Sequence, residues 1–172
     1  GVVVIDGDKQ THITYKEGIP SSSIRIFEED NAGNVYIGTT SGVCYADENL
    51  TIHSVSNDLI DKDRILKLDA DSRGKIYGST SKGVIFTIEN QTVTAAYESS
   101  ALGYDKIYTL MVDPLNDSNL YIGTEGGNVY YGVFNANVND MKRIDASQFG
   151  AIQWIAYCCD RVWIASSSKI GY

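Results

Sequence analysis

The sequence predicts an all-β fold, a β-propeller built of four-stranded antiparallel blades. The first observation behind this prediction is a repeat with a period of 41 to 44 residues. The second is that the repeated segments are short, rich in Val, Ile, Tyr and Thr, and bounded by Gly, Asn, Asp and Ser. The third is that no window of ten or more residues sustains the apolar stripe of an amphipathic helix. A period of about 40 to 45 residues fits either a helical array or a propeller blade, and the strand-like composition favours the blade.

Each repeat predicts four strands. In the first complete repeat they cover about 24–29, a Val-Tyr-Ile segment beginning at Val35, 43–46 and 51–55. The turn between the first two strands begins at Asp30, whose carboxylate can bond its own backbone, and ends at Gly33, which tolerates positive φ. The second repeat has the same turn, and the third has the longer segment 113–119.

The repeat also predicts how the strands pack. An aromatic residue follows the leading aliphatic residue of every second strand, and the set is Tyr36, Tyr77, Tyr121 and Trp163. A row of aromatic side chains could stack on sugars. Because the residue recurs in every blade, packing between blades explains it better.

The blade boundaries follow from the register of the repeat. Residues 1–172 form one propeller segment, with complete blades at about 24–56, 65–97 and 107–146 and half blades at 1–15 and 152–172. Two arrangements fit. The half blades could pair and close a small four-bladed ring, or the chain could be a fragment of a larger ring. A fragment would leave blade edges open, which predicts a homo-oligomer that covers them.

Composition excludes several classes of function. The chain has 172 residues, about one domain, and a net charge of -8. Acidic charge disfavours nucleic acid as a partner and capture by an anionic membrane. We therefore expect no nucleic-acid partner.

The sequence also predicts a non-enzymatic chain without a cofactor. It contains no Gly-x-Ser-x-Gly elbow, phosphate loop or His-Glu-x-x-His motif. His12 and His53 lie 41 residues apart on equivalent strands of different blades, which favours half-exposed positions over a metal site. The three cysteines, Cys44, Cys158 and Cys159, have no metal-ligand spacing, and we expect them to be small buried residues. We predict no catalytic residue and no metal site.

A candidate ligand-binding surface follows from the alternation of strand direction. Loops that leave a second strand and loops that leave a fourth strand must share one rim, and propeller function commonly lies in such loops. The loops concerned are 16–23, 57–64, 99–106, 39–41, 79–82 and 124–126. The candidate ligand-binding residues on this rim are Asp61, Arg64, Tyr104 and Glu125. Ordinary solvated loops are the alternative interpretation.

The first complete repeat resembles the two-component regulator propeller repeat. The resemblance is carried by the lead-in Gly18, Ile19 and Pro20, by the turn at 30–33, and by the segment 35–43, and it is weaker in the later repeats. It implies an extracytoplasmic sensor module, periplasmic or at the cell surface, of a bacterial signal-transduction protein. It also implies a membrane-anchored effector, a histidine kinase or a diguanylate cyclase, and a saccharide or another small ligand.

The third repeat, from Asp113 through Gly127, also resembles propeller repeats of the sialidase and xyloglucanase type. A piece of a carbohydrate-active enzyme is therefore one alternative. A structural interaction scaffold is the other.

Overall fold

A computed structural model describes residues 1–134, 140–166 and 170–171, and in them the chain is all-β. The strands form five antiparallel sheets. The first is a two-stranded sheet, here called the N-terminal hairpin, of β1 (Val2–Asp6) and β2 (Lys9–Ile13).

Three four-stranded sheets follow. Blade 1 comprises β3 (Ile24–Glu29), β4 (Val35–Thr39), β5 (Gly42–Ala46) and β6 (Ile52–Val55). Blade 2 comprises β7 (Ile65–Ala70), β8 (Ile76–Thr80), β9 (Val84–Glu89) and β10 (Thr92–Glu98). Blade 3 comprises β11 (Ile107–Val112), β12 (Asn119–Thr124), β13 (Asn128–Val133) and β14 (Lys142–Asp145). The fifth, called the C-terminal sheet, comprises β15 (Trp154–Cys158), β16 (Arg161–Ala165) and β17 (Ile170–Gly171).

The strands of each blade pair in chain order, so the first strand is always an edge. These first strands are neighbours: β7 lies beside β3 and β11, and β11 lies beside β15. They therefore form the inner wall of the molecule, and each later strand of a blade lies farther from the centre.

The turn between the first two strands has the predicted chemistry. Asp30 Oδ1 accepts hydrogen bonds from the backbone N–H groups of Ala32 and Asn34, both at 2.9 Å, and Gly33 has a φ of 80°. Asp71 caps the same turn in blade 2, and Asp113 accepts from the Leu115 N–H in the longer turn of blade 3. Burial raises the cost of ionising Asp30, but its hydrogen bonds outweigh that cost and hold its pKa below the ordinary value.

Each complete blade has a β-bulge at the same place in its first strand. In blade 2, Ile65 pairs with Thr80 and Lys67 pairs with Ser79, which leaves Leu66 without a partner in the ladder. Arg25 in blade 1 and Tyr108 in blade 3 are skipped in the same way. The extra residue changes which face the following side chains occupy. As a result Ile65 and Leu68, three residues apart, lie in the same core, although side chains in a regular strand share a face only at even spacings.

The recurring tyrosines pack between blades, as predicted. Tyr36 lies in a core that joins blade 1 to Ile65 and Leu68 of blade 2. Tyr77 lies in the equivalent core between blades 2 and 3. Tyr121 packs against the core between blade 3 and the C-terminal sheet. Interblade packing therefore accounts for the recurrence of these three side chains.

The two half blades do not pair with each other. Within the described parts of the chain, β1 and β2 form a sheet of their own, and β15 pairs only with β16, which in turn pairs with β17. A closed four-bladed ring is therefore not formed. The C-terminal sheet also extends further than expected, because Ile170–Gly171 begins a third strand beside β16. Residues 167–169 and 172 of this predicted half blade, and 135–139 of the third blade, lie outside the described residues.

The expectation for the cysteines holds for one of the three. Cys44 is buried, and burial raises the pKa of its thiol to about 12. Cys158 and Cys159 are exposed, so for them the prediction of burial is wrong. They lie at the hairpin turn between β15 and β16, where Cys159 and Asp160 both have positive φ, and such a tight turn directs side chains outward.

Candidate functional site

The predicted loops do share one rim, and one hydrogen bond recurs in every blade to hold them there. The backbone carbonyl of the residue just before the inner strand accepts a hydrogen bond from the backbone N–H group of the residue just after the second strand. The pairs are Ser23 with Thr40 at 3.0 Å, Arg64 with Ser81 at 2.8 Å and Lys106 with Glu125 at 2.8 Å. We call this side of the molecule the loop rim. Because the bonds are between backbone atoms, they tie the loops to the inner strands whatever side chains the loops carry.

Of the predicted site residues, Asp61 serves its own loop. Its carboxylate accepts hydrogen bonds from the Ser56 hydroxyl at 2.5 Å and from the Asn57 N–H at 3.2 Å. Arg64 and Glu125 are exposed on the loop rim, as expected. Glu125 Oε1 accepts a hydrogen bond from the Tyr108 hydroxyl at 2.8 Å.

Tyr104 does not face the surface, and that part of the prediction is wrong. Its side chain is only 4% exposed and belongs to the core between blades 2 and 3. The ring lies edge-on to Tyr130 with centroids 4.7 Å apart, and the hydroxyl points to Met141 Sδ at 2.9 Å. A short 3-10 turn at Ser99–Leu102 places the tyrosine beneath the rim instead of on it.

Asp63 is a rim residue that sequence reasoning missed. It is buried between blades 1 and 2, and its carboxylate accepts from the Arg64 N–H at 2.8 Å, the Ser81 hydroxyl at 2.7 Å and the Lys82 N–H at 3.1 Å. Burial raises the pKa of Asp63, but the hydrogen bonds from these donors and from the Thr80 side chain lower it by more, so the pKa lies below its ordinary value. Asp63 therefore locks the loop after blade 1 onto blade 2.

The bulges bring a set of side chains together at the centre of the loop rim. A cavity of about 430 Å³ opens there, which we call the mouth. All three bulge residues line the mouth. Ser81 from a loop of blade 2 also lines it, as do Lys106 just before β11 and Gln153 and Trp154 at the start of β15. The lining residues are Arg25, Leu66, Ser81, Lys106, Tyr108, Gln153 and Trp154. Blades 1 to 3 and the C-terminal sheet thus contribute to one cavity. A β-bulge redirects a side chain, and bulges are common beside functional sites for this reason.

Tyr108 is held in the mouth by two neighbouring side chains. Its hydroxyl donates to Glu125, and that hydrogen bond raises the pKa of the phenol. The Lys106 ammonium lies 5.4 Å from the centre of the Tyr108 ring, a cation–π contact. Tyr108 is therefore a neutral hydrogen-bond donor at physiological pH and is not suited to act as a base.

Two other cavities have structural explanations. A cleft of about 550 Å³ between blade 3 and the C-terminal sheet is lined mainly by apolar side chains such as Val129, Phe149 and Ile164. It continues the core that joins those two sheets. On the opposite rim, a space of about 230 Å³ includes charged groups that are already paired, with Lys75 Nζ 2.7 Å from Glu89 Oε1.

The bulge had a signal in the sequence. Each inner strand carries apolar residues three positions apart, as at Ile65 and Leu68, and a regular strand cannot bury both on one face. An odd spacing that recurs in every repeat indicates one extra residue in the strand. Asp63 had a weaker signal, because Asp105 occupies the same position 42 residues later. The convergence of the bulge residues on a single mouth had no signal of its own.

The fold is shared with known propeller structures. The extracellular domain assigned to a hybrid two-component system of B. thetaiotaomicron superposes with a TM-score of 0.76 and 19% identity over 99% of this chain. The chain is a β-propeller segment. The extracellular domain assigned to a one-component system of the same organism gives a TM-score of 0.70 with 18% identity over 94% of the chain. The dihydro-heme d1 dehydrogenase NirN, an enzyme, gives 0.65 with 10% identity over 88%.

The propeller segment corresponds to a small part of these structures. It spans 23% of each of the two extracellular domains and 35% of the dehydrogenase. No protein-family model matches the sequence. No curated protein matches it either. Among the described residues, no helix is long and apolar enough to cross a bilayer.

Proposed function

We propose that the chain is a non-catalytic, extracytoplasmic ligand-sensing module of a bacterial signal-transduction protein. The observation that carries the proposal is the mouth: four inner strands direct side chains from separate blades into one cavity, on a rim whose loops are held by recurring backbone hydrogen bonds. The structural likeness to extracellular domains of signalling proteins supports it. In this proposal the ligand is a saccharide or another small molecule, and the effector is a membrane-anchored domain of the parent protein.

The lining of the mouth favours binding over catalysis. A hydrolase acting through general acid and base needs a pair of groups that can exchange protons near neutral pH. Among the described residues, those lining the mouth include no carboxylate and no histidine. Tyr108, which is hydrogen-bonded to Glu125, has a raised pKa. A carbohydrate-active enzyme would need catalytic groups from elsewhere in the parent protein.

A thermal-shift screen of this 172-residue chain against a panel of saccharides tests the proposal. A ligand that binds only the folded state raises the melting temperature, by mass action. We expect a shift that Trp154→Ala and Glu125→Ala reduce, since Trp154 lines the mouth and Glu125 holds the Tyr108 hydroxyl there. Tyr104 is unsuitable as a surface variant because it is buried in a core.

Two outcomes would contradict the proposal. Turnover of a polysaccharide by the chain would show a carbohydrate-active enzyme instead. Absence of any shift, combined with a specific protein complex formed elsewhere on the surface, would show a structural scaffold.

A further inference from the structure

We propose that the mouth binds an acidic saccharide, that is, a sugar bearing carboxylate or sulfate groups. This inference rests on the proposed function and adds the chemical class of the ligand. Three observations support it: the positive charge of the lining residues, the unpaired guanidinium of Arg25, and the aromatic side chains of Trp154 and Tyr108 in the same lining.

The charge of the mouth is opposite to that of the chain. The sequence has 22 acidic and 14 basic residues and a net charge of -8. The mouth, in contrast, has Arg25 and Lys106 in its lining, with no acidic side chain among the described residues that form it. Glu125 borders the mouth without lining it, and its carboxylate accepts a hydrogen bond from the Tyr108 hydroxyl. A cationic patch inside an acidic surface attracts anions to that one place.

Arg25 is free to bind. It is exposed, it occupies the bulge of blade 1, and its side chain makes no ion pair or hydrogen bond with the residues that the structure describes. Cations of the opposite rim differ: Arg73 Nη2 lies 2.6 Å from Asp71 Oδ2, and Lys75 Nζ lies 2.7 Å from Glu89 Oε1. An unpaired guanidinium presents a planar fork of donors that matches a carboxylate or a sulfate.

The aromatic residues supply the surface that a sugar ring needs. Trp154 is 64% exposed and lines the mouth, and the hydroxyl of Tyr108 is held by Glu125. Aromatic rings pack against the apolar face of a ligand, while the polar edges of the ligand meet donors and acceptors. Gln153 and Ser81 add neutral polar groups to the lining. A cavity of about 430 Å³ falls within the range of small-ligand sites.

Isothermal titration calorimetry of the 172-residue chain tests the inference with three probes. Trigalacturonic acid carries carboxylates, a sulfated galactose trisaccharide carries sulfates, and galactotriose is the neutral counterpart. We expect at least one acidic probe to bind about tenfold or more tightly than galactotriose, and its affinity to fall as salt screens the charges. The two acidic probes show which anionic group the mouth prefers.

Variants locate the binding. Arg25→Gln and Lys106→Gln should each weaken binding of the acidic probe about tenfold or more. Arg73→Gln, which removes a paired cation from the opposite rim, should leave it unchanged. Near-ultraviolet circular dichroism confirms that each variant is folded.

The outcomes separate the two proposals. Equal binding of galactotriose and the acidic probes, unaffected by Arg25→Gln but lost in Trp154→Ala, would overturn the inference and leave the sensor function standing. If no probe binds, the inference is overturned. If the wider saccharide panel also gives no thermal shift and a specific protein complex forms elsewhere on the surface, the sensor function is overturned as well.

Discussion

Gly38 lies in a tight contact between blades 1 and 2. A Cβ atom there would stand 2.7 Å from Ile26 Cγ2 and 2.9 Å from Ile65 Cγ2, on adjacent inner strands. We expect Gly38→Ala to lower the free energy of unfolding by about 1 to 3 kcal/mol, the usual cost of overpacking a core. Ala165 occupies the same repeat position in the C-terminal sheet, so Ala165→Gly is the matched control and should cost no more than about 1 kcal/mol. Urea unfolding measures both, and an equal loss in the two variants would contradict the steric argument.

Asp63 makes the loop rim sensitive to acid. Since its pKa in the folded protein lies below the ordinary value of 3.8, its stabilising effect is complete above that value and is lost as the pH falls through the lower, folded value. Asp63→Ala should cost about 1 to 3 kcal/mol at neutral pH, because it removes the buried carboxylate that accepts the hydrogen bonds of Ser81 and Lys82. The difference between wild type and variant should shrink in unfolding experiments at the most acidic pH. A difference independent of pH would contradict the assignment.

At the scale of the element, the bulge residue of each complete blade lines the mouth, and we expect that the packing of the blade does not require it. In β7, Ile65 and Lys67 pair with consecutive residues of β8, so deletion of Leu66 leaves a regular ladder and keeps Ile65 and Leu68 on one face. We expect this deletion to cost about 1 to 2 kcal/mol. Deletion of Asp69, in the regular part of the same strand, shifts Ala70 and the turn at Asp71 out of register and should cost more than about 4 kcal/mol. Urea midpoints compare the two, and equal losses would show that the bulge is required for packing.

At the scale of the whole molecule, the flank of blade 1 is incompletely covered. Phe27 is 49% exposed, whereas Leu68 and Leu110, at the same position in blades 2 and 3, are fully buried. We predict that a second copy of the chain covers this flank, with its C-terminal sheet lying where the blade before blade 1 would pack. Sedimentation velocity should show self-association that Phe27→Ser abolishes and Leu115→Ser, in an exposed turn, leaves unchanged. A monomer at every concentration would contradict the prediction.

The sequence alone determined the repeat, the strand order within blades and the turn at Asp30, because strand composition and turn chemistry are local properties. The rim shared by the loops also followed, since strand direction must alternate. The placement of Tyr104 could not be predicted in this way: whether a tyrosine in a loop is exposed depends on how closely the next blade packs, and here a 3-10 turn carries it into the core.

Tertiary structure alone decided the mouth. Arg25, Leu66 and Tyr108 lie about one repeat apart in the chain, and only the packing of four inner strands around one centre brings them to the same cavity. The open arrangement of the half blades was decided in the same way, because both a closed ring and an arc satisfied the repeat. The physical reason is that a repeat specifies contacts within a blade and with its neighbours, whereas the geometry around the axis is the sum of all interblade rotations.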